Sequence, residues 1–266
     1  MRYEETLTAY IDFLGFREAS NNLNEADRLK VLSLLLSLKK RESNFRAHVN
    51  DRNGNIAYSI TPAVSTFSDN ILVSYPLEIL KPGSEFKIVD ATLFMLLWLF
   101  IARIASAALP IGFLIRGAVT IGKLHHHDNI VFGEALSEVV QLESNAAIYP
   151  RVIISPQLLR LYNEPIEMYL PGIRREDDGS YCLDYIARLH GEQPHSYKHG
   201  EWYEKSTSVI SASLDALERS GKVRELEKWI WFAKRFRQDI ESIPLENQET
   251  WGISLKKMSW EKYIGR

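Results

Sequence analysis

The chain has little cysteine, little net charge and none of several common catalytic motifs. Cys182 is the only cysteine among 266 residues, which excludes an internal disulfide and fits a reducing compartment. A formal net charge of −2 gives no electrostatic footprint for duplex nucleic acid. The motifs GxSxG, CxxC, HExxH and GxxxxGK[ST] do not occur. Serine and cysteine hydrolases, zinc enzymes and P-loop proteins therefore have no support.

Long hydrophobic runs are scarce as well. The segment Ala91–Ala102 (ATLFMLLWLFIA) is uninterrupted, but a helix of this length spans about 18 Å, against ~30 Å for a hydrocarbon core. We expect it to be buried in the core or in a subunit interface, and we expect no membrane association. The first residues, Met1–Glu5, are acidic rather than typical of a signal peptide, so we expect a cytoplasmic protein.

Patterning along the chain predicts an α+β fold. The expected strands are Leu7–Leu14, Ile56–Thr66, Asn70–Tyr75, Gly112–Lys123, Ile130–Phe132 and Arg151–Ile154, and the expected helices are Leu23–Phe45, Ala91–Ala102 and Glu134–Ala147. This order is roughly β-α-β-β-α-β. It predicts a ferredoxin-like split βαβ unit with a mainly antiparallel sheet and helices on one face.

The second part of the chain favours helices. Glu167–Leu170 and Tyr181–Ala187 fit a small hairpin, and Glu201–Ile240 is helical in two pieces split near Gly221. We therefore expect a catalytic-type domain over residues 1–190 and a helical C-terminal extension over residues 191–266.

Two expectations concern local packing. In the first long helix Leu29, Leu32 and Leu36 recur at helical spacing and are expected to form its apolar face. Pro62 lies inside an otherwise strand-like run, which indicates an edge, a bulge or a break.

Two predicted strands each carry one aspartate. Ala9–Phe16 (AYIDFLGF) contains Asp12, and Thr66–Ser74 (TFSDNILVS) contains Asp69. A carboxylate in an apolar strand is costly unless its charge is compensated. A pair of them on neighbouring strands would suit Mg²⁺ or Mn²⁺ over a phosphate substrate. The alternative is that each aspartate only caps a turn.

Other candidate residues flank this pair. After Asp12 the chain turns at Gly15 towards a helix, whose first backbone N–H groups would bind phosphate oxygens. Arg116 lies in an apolar strand, where an arginine pairs with a carboxylate or a ligand. Ser137 and Gln141 share one helix face, with plain surface exposure as the alternative.

The run His125–His127 is weak evidence for a metal site. On a strand His125 and His127 share a face while His126 points away, so we interpret the run as the tip of a hairpin.

Taken together, these segments resemble the class III nucleotide cyclases over about residues 5 to 160. Asp12–Phe16 is similar to their first metal-binding segment and Ser68-Asp69 to their second. Arg116–Gly122 is similar to their Arg-x-Gly strand, and Phe132–Glu143 to the helix that follows it. The closest resemblance is to the bacterial pyrimidine cyclases of Pycsar anti-phage systems.

The chain departs from the family at three positions. Ser137 and Gln141 stand where the family has an asparagine and an arginine that serve the substrate and transition state. Ser65 lies four residues before Asp69, where adenylate and guanylate cyclases use lysine or glutamate to recognise the purine. The departures indicate either a different base or an inactive enzyme.

The resemblance implies that UTP or CTP, with UTP favoured, is cyclised to cyclic UMP or cyclic CMP with release of diphosphate. It implies two Mn²⁺ or Mg²⁺ ions bound by Asp12, Phe13 and Asp69, and a substrate or transition-state contact from Arg116. The implied substrate-binding residues are Phe13, Leu14, Gly15, Phe16, Ser65, Ser137 and Gln141.

The implied partners are a second copy of the chain, forming a homodimer with composite active sites, and a separate effector that binds the cyclic product. Two alternatives stay open. One is a degenerate nucleotide-binding module without turnover. The other is a palm-type nucleotidyltransferase, which shares the arrangement of two aspartates and would join nucleotides instead.

Overall fold

The computed structural model describes residues 3–16, 24–40, 47–50, 56–77, 86–128, 130–162, 166–170, 172–192, 198–251, 253 and 260–264. The strands are β1 (Glu4–Leu14), β2 (Ala47–Asn50), β3 (Ile56–Ile60), β4 (Ala63–Phe67), β5 (Asn70–Pro76), β6 (Leu114–His127), β7 (Ile130–Gly133), β8 (Val152–Ile154), β9 (Ile173–Arg175) and β10 (Tyr181–Leu183). The helices are α1 (Glu25–Lys40), α2 (Phe86–Ala108), α3 (Glu134–Ala146), α4 (Pro156–Leu159), α5 (His199–Ser220), α6 (Val223–Ser242), α7 (Leu245–Thr250) and α8 (Glu261–Ile264).

The main sheet has the strand order β4-β5-β1-β6-β8-β10-β9, with β7 paired to β6. All of these pairs are antiparallel except β6 with β8. The arrangement β4-β5-β1-β6 places β1 between β6 and the second strand of a hairpin, which is the split βαβ pattern. The predicted α+β class, the mainly antiparallel sheet and the helical C-terminal extension are confirmed. The domain division at residue 190 stays a prediction.

The two faces of the sheet differ in polarity because successive side chains of a strand alternate. On β1 one face carries Leu7, Ala9, Ile11 and Phe13, all buried in the main core. The other face carries Thr6, Thr8, Tyr10 and Asp12. The alternation therefore puts the polar groups of the central strand on one side of the molecule.

Helices cover both faces, so the expectation of helices on one face was wrong. Helix α2 packs on the apolar face, whereas Val139 of α3 packs with Leu72 and Ala118 on the polar face. The polar face needs this cover because it also carries apolar residues of β5 and β6.

Helix α2 is longer than its apolar core suggested. The stretch Ala91–Ile111 is long and apolar enough to cross a membrane by length and composition, and 61% of its most apolar window is buried inside the protein. The expectation that this helix is too short to span a membrane was therefore wrong, because the small residues after Arg103 continue the helix to Ala108. Its expected burial is confirmed, with Leu93, Leu97 and Phe100 fully buried.

Helix α1 buries a different side from the one predicted. Leu29, Leu32 and Leu36 are exposed, whereas Val31 and Leu34 face the core. The helix is only weakly amphipathic, so its sequence does not distinguish the face with Leu29, Leu32 and Leu36 from the face with Val31 and Leu34. Contact with the rest of the fold determines which face is buried.

Two strand boundaries also differ from expectation. The second hairpin is built from β9 and β10, and Ile166–Met168 forms a 3₁₀ turn in place of the predicted strand. The break at Pro62 is confirmed, since β3 ends at Ile60 and pairs with β2 in a separate sheet.

Gly117 lies where β1 and β6 approach closely. A methyl group there would meet the carbonyl oxygen of Tyr10 and lie 2.8 Å from Cδ1 of Ile11. We predict that Gly117→Ala lowers the free energy of unfolding by about 1–3 kcal/mol, the usual cost of overpacking. Gly191→Ala, with no atom within 4 Å, is the control and should change it by under about 0.5 kcal/mol. Chemical denaturation measures both, and equal effects would contradict the packing argument.

Candidate functional site

The structure brings Asp12 and Asp69 to neighbouring strand ends. Asp12 is opposite Asn70 in the register of β1 and β5, and Asp69 precedes Asn70 in the turn between β4 and β5. The backbone N–H of Phe13 donates to the carbonyl oxygen of Asp69 at 3.1 Å. Ser68 adopts a left-handed φ of 57°, which closes the turn in two residues. The two aspartates are therefore held side by side by backbone geometry.

Arg116 links this pair to helix α3. It lies opposite Asp12 in the register of β1 and β6. Its Nε donates to Oδ2 of Asp12 at 2.9 Å, and its Nη2 lies 2.6 Å from Oε1 of Glu143. Its Nη1 also donates to the carbonyl oxygen of Ala147 at 3.4 Å. The sequence predicted that Arg116 pairs with either a carboxylate or a ligand, and the structure shows it paired with two carboxylates.

The cluster carries more negative than positive charge. Burial raises the pKa of Asp12, Asp69 raises it further, and the charges of Arg116 and Lys228 oppose the rise. Burial also raises the pKa of Glu143, against the effect of Arg116. Burial together with these three carboxylates raises the pKa of Tyr10 to about 12. Such a site favours an additional cation.

The donor set fits a hard divalent cation. Carboxylate and backbone carbonyl oxygens are the ligands that Mg²⁺ takes, usually with only one or two carboxylates and with substrate phosphates completing its shell. Over the described residues no three histidine, cysteine, aspartate or glutamate side chains are grouped to hold a metal. A cation on Asp12 and Asp69 would therefore share its coordination with the backbone, water or substrate.

The turn after β1 is only partly described. Gly15 has a φ of 79° and is exposed, in keeping with the predicted tight turn. The N–H of Phe13 is already bonded to Asp69, and Leu14 pairs with Leu114 in the sheet. The predicted helix start beyond Phe16 falls on residues 17–23, outside the described residues. Phosphate binding by this turn stays a prediction.

Ser65 is held by a buried histidine that sequence reasoning missed. Its hydroxyl is 2.8 Å from Nε2 of His126, and the hydroxyl of Ser74 is 2.8 Å from Nδ1 of the same ring. Burial lowers the pKa of His126 to about 4, so the ring is neutral at pH 7. Each serine therefore meets either a ring donor or a ring acceptor, depending on the tautomer. The signal was available in the strand alternation, which puts His126 on the polar face with Thr120.

A pocket of about 240 Å³ adjoins this histidine. Its walls include Thr6, Ser59, Ser74 and His126. It lies towards the start of β1, whereas Asp12 lies near the end of that strand. The pocket end of the polar face thus carries the neutral His126 ring and several hydroxyl groups, together with the Glu4 carboxylate 3.2 Å from Nε2 of His127.

Helix α3 presents two sides. Glu143 faces the sheet together with Ala135 and Val139, whereas Ser137 and Gln141 are exposed. The structure does not place Ser137 or Gln141 against the aspartate pair of the same chain. Their proposed action from a second subunit stays a prediction. Glu143 was missed as a site residue, although its spacing of four and eight from Val139 and Ala135 marks the buried face.

No protein-family model and no curated protein sequence matches the chain. Solved structures with some likeness include the adenylyl cyclase CyaB from P. aeruginosa (13% identity, 68% of this chain, 94% of that chain, TM-score 0.44). They also include the catalytic core of a rhodopsin-guanylyl cyclase with converted specificity in complex with ATPαS (13% identity, 68% of this chain, 96% of that chain, TM-score 0.40). A third is the monomeric guanylyl cyclase domain of the RhoGC fusion protein from the aquatic fungus Blastocladiella emersonii (13% identity, 68% of this chain, 95% of that chain, TM-score 0.39). At these identities and TM-scores the likeness carries no argument about activity.

His126 should make stability depend on pH. Its pKa is about 4 when folded against 6.5 when unfolded, so the unfolded chain binds more protons between these values. Stability contributed by the neutral ring is therefore full above pH 6.5 and falls by up to about 3 kcal/mol as pH drops to 4. Comparing denaturation of the parent protein and His126→Gln across this range isolates the effect. His125→Gln, on the other face of β6, removes only a minor cause of the lowered pKa and should keep most of the slope. The full parent slope in His126→Gln would contradict the assignment.

Proposed function

We propose that the chain is a nucleotide cyclase that converts a nucleoside triphosphate to its 3′,5′-cyclic monophosphate and diphosphate. The observation that carries the proposal is the pairing of Asp12 and Asp69 at adjoining strand ends, with Arg116 fixed between Asp12 and Glu143. These residues come from the four segments that resemble class III cyclases, and they lie together at one end of the polar face of the sheet.

The reaction needs charge compensation and alignment more than covalent chemistry. The ribose 3′-oxygen forms a bond to the α-phosphorus, the bond from that phosphorus to the β-phosphate bridging oxygen breaks, and the 3′-hydroxyl proton passes to solvent. Divalent ions held by Asp12, Asp69 and the Phe13 backbone would lower the pKa of the 3′-hydroxyl and offset the phosphate charge. Arg116 fixes the Asp12 carboxylate, and the turn at Gly15 is proposed to bind the outer phosphates.

The proposed substrate is a pyrimidine nucleotide, with UTP favoured over CTP. Support comes from Ser65, which replaces the charged purine-recognising residue of adenylate and guanylate cyclases. The structure holds its hydroxyl against the neutral ring of His126. A small neutral hydroxyl beside a neutral ring suits hydrogen bonding to a base rather than pairing with a charge.

The proposed assembly is a homodimer in which Ser137 and Gln141 of one copy reach the aspartate pair of the other. Support comes from the exposure of these residues on α3 and from apolar side chains next to them on β7. Ile130 and Phe132 are 59% and 70% exposed, which is unusual for large apolar residues on one short strand. We also propose a cytoplasmic enzyme whose product is a second messenger in anti-phage defence, read by a separate effector.

A second candidate is a nucleotide-binding module without turnover. The observation that favours it is the engagement of Asp12 by Arg116, which already compensates the charge of one of the two proposed carboxylate ligands. Such a module would bind nucleotide with divalent ions and release no diphosphate.

Asp69→Asn tests the proposed function directly. The change removes one charged metal ligand while keeping the shape of the side chain, so we predict a loss of cyclase turnover of at least ~100-fold with unchanged thermal unfolding. Asp128→Asn is the matched control, because Asp128 also occupies a hairpin turn, with a φ of 53° that asparagine tolerates. Diphosphate release with Mn²⁺ is the measurement. Full activity in Asp69→Asn would overturn the assignment of the metal site.

A further inference from the structure

Two contacts bring helix α6 of the C-terminal extension against residues next to the main sheet. The ring of Trp231 stacks on Tyr149, with centroids 5.8 Å apart and planes 16° apart. Nη2 of Arg235 donates to Oδ2 of Asp184 at 2.7 Å. Tyr149 lies two residues after Ala147, whose carbonyl oxygen accepts from Arg116. The helix is thus anchored beside the charged end of the polar face.

Lys228 is on the anchored side of this helix. Positions 228, 231 and 235 follow the i, i+3, i+7 spacing of one helix face. Asp184 directly follows β10 and Tyr149 precedes β8, so the step from Arg235 to Trp231 along α6 runs from β10 towards β8. Lys228, one turn further along the same face, therefore lies on the side of β6, the strand that carries Arg116.

Lys228 differs from the other cations near the site. Arg116 is engaged by Asp12, Glu143 and Ala147, and Arg235 is engaged by Asp184. Lys228 is half-buried, and across the described ranges no hydrogen bond or ion pair holds its ammonium group. Its three N–H donors are therefore directed at no protein group described here, and an ammonium is a compact charge suited to phosphate.

We propose that Lys228 binds the phosphate chain of the nucleotide, so that the C-terminal extension supplies a substrate-binding residue to the site of the same chain. This inference rests on the proposed function for its ligand class, a nucleoside triphosphate. It gives the extension a role that neither the strand motifs nor the resemblance to cyclases assigns.

The test compares Lys228→Gln with Lys228→Arg and with Lys234→Gln, an exposed lysine on another side of α6. Binding of inorganic tripolyphosphate in the presence of Mn²⁺ is measured by calorimetry on the full chain, together with KM and kcat for the nucleotide. We expect Lys228→Gln to weaken tripolyphosphate binding and raise KM by about tenfold or more. Lys228→Arg should recover most of the affinity because it keeps the charge, and Lys234→Gln should match the parent. Thermal unfolding confirms that each variant is folded.

The outcomes separate this inference from the proposed function. Lysine-dependent binding of tripolyphosphate without turnover of any nucleotide would support the Lys228 site and count against the cyclase. Turnover by the parent protein with the same KM and tripolyphosphate affinity in Lys228→Gln would overturn the Lys228 assignment alone. A parent protein that binds no tripolyphosphate would overturn it as well.

Discussion

The ion pairs of Arg116 with Asp12 and Glu143 are the interaction on which the site depends. They join the central strand β1 to helix α3 across the polar face of the sheet. The side chains of Arg116, Asp12 and Glu143 are only 23%, 15% and 5% exposed, so each charge needs the others. Loss of one partner from such a buried group typically costs about 3–5 kcal/mol, because the remaining charges stay desolvated. The guanidinium group of Arg116 therefore both orients Asp12, a proposed metal ligand, and holds helix α3 through Glu143.

The polarity of the sheet explains why the site lies where it does. The apolar face of β1 packs into the main core with α2, which leaves the other face to carry the polar groups. Helix α3 covers the middle of that polar face through Val139, Leu72 and Ala118. At one end remain the carboxylates and the cations around them, and at the other the neutral His126 with its two serines.

Much of this arrangement was predictable from residue pattern. The strands bearing Asp12 and Arg116 and the two strands that flank the turn with Asp69 have clear β signatures, and their order along the chain specifies a split βαβ sheet that brings strand ends together. The role of the His126 ring was not predicted: the strand alternation sets His126 apart from its two neighbours, but its partners Ser65 and Ser74 come from other strands and are known only once the sheet is formed. The position of Lys228 was not predictable either. It depends on long-range contacts of Trp231 and Arg235, and no local pattern encodes how a C-terminal helix docks.

The most direct measurement of the central claim is incubation of the purified protein with Mn²⁺ and each of ATP, GTP, CTP and UTP separately, with products separated by chromatography and identified by mass. The account predicts a cyclic pyrimidine monophosphate and diphosphate, from UTP in preference to CTP, and no cyclic product when Asp69 is replaced by asparagine. Cyclic AMP or cyclic GMP would contradict the interpretation of Ser65. Linear oligonucleotides, or no product from any nucleotide with a folded protein, would contradict the cyclase itself.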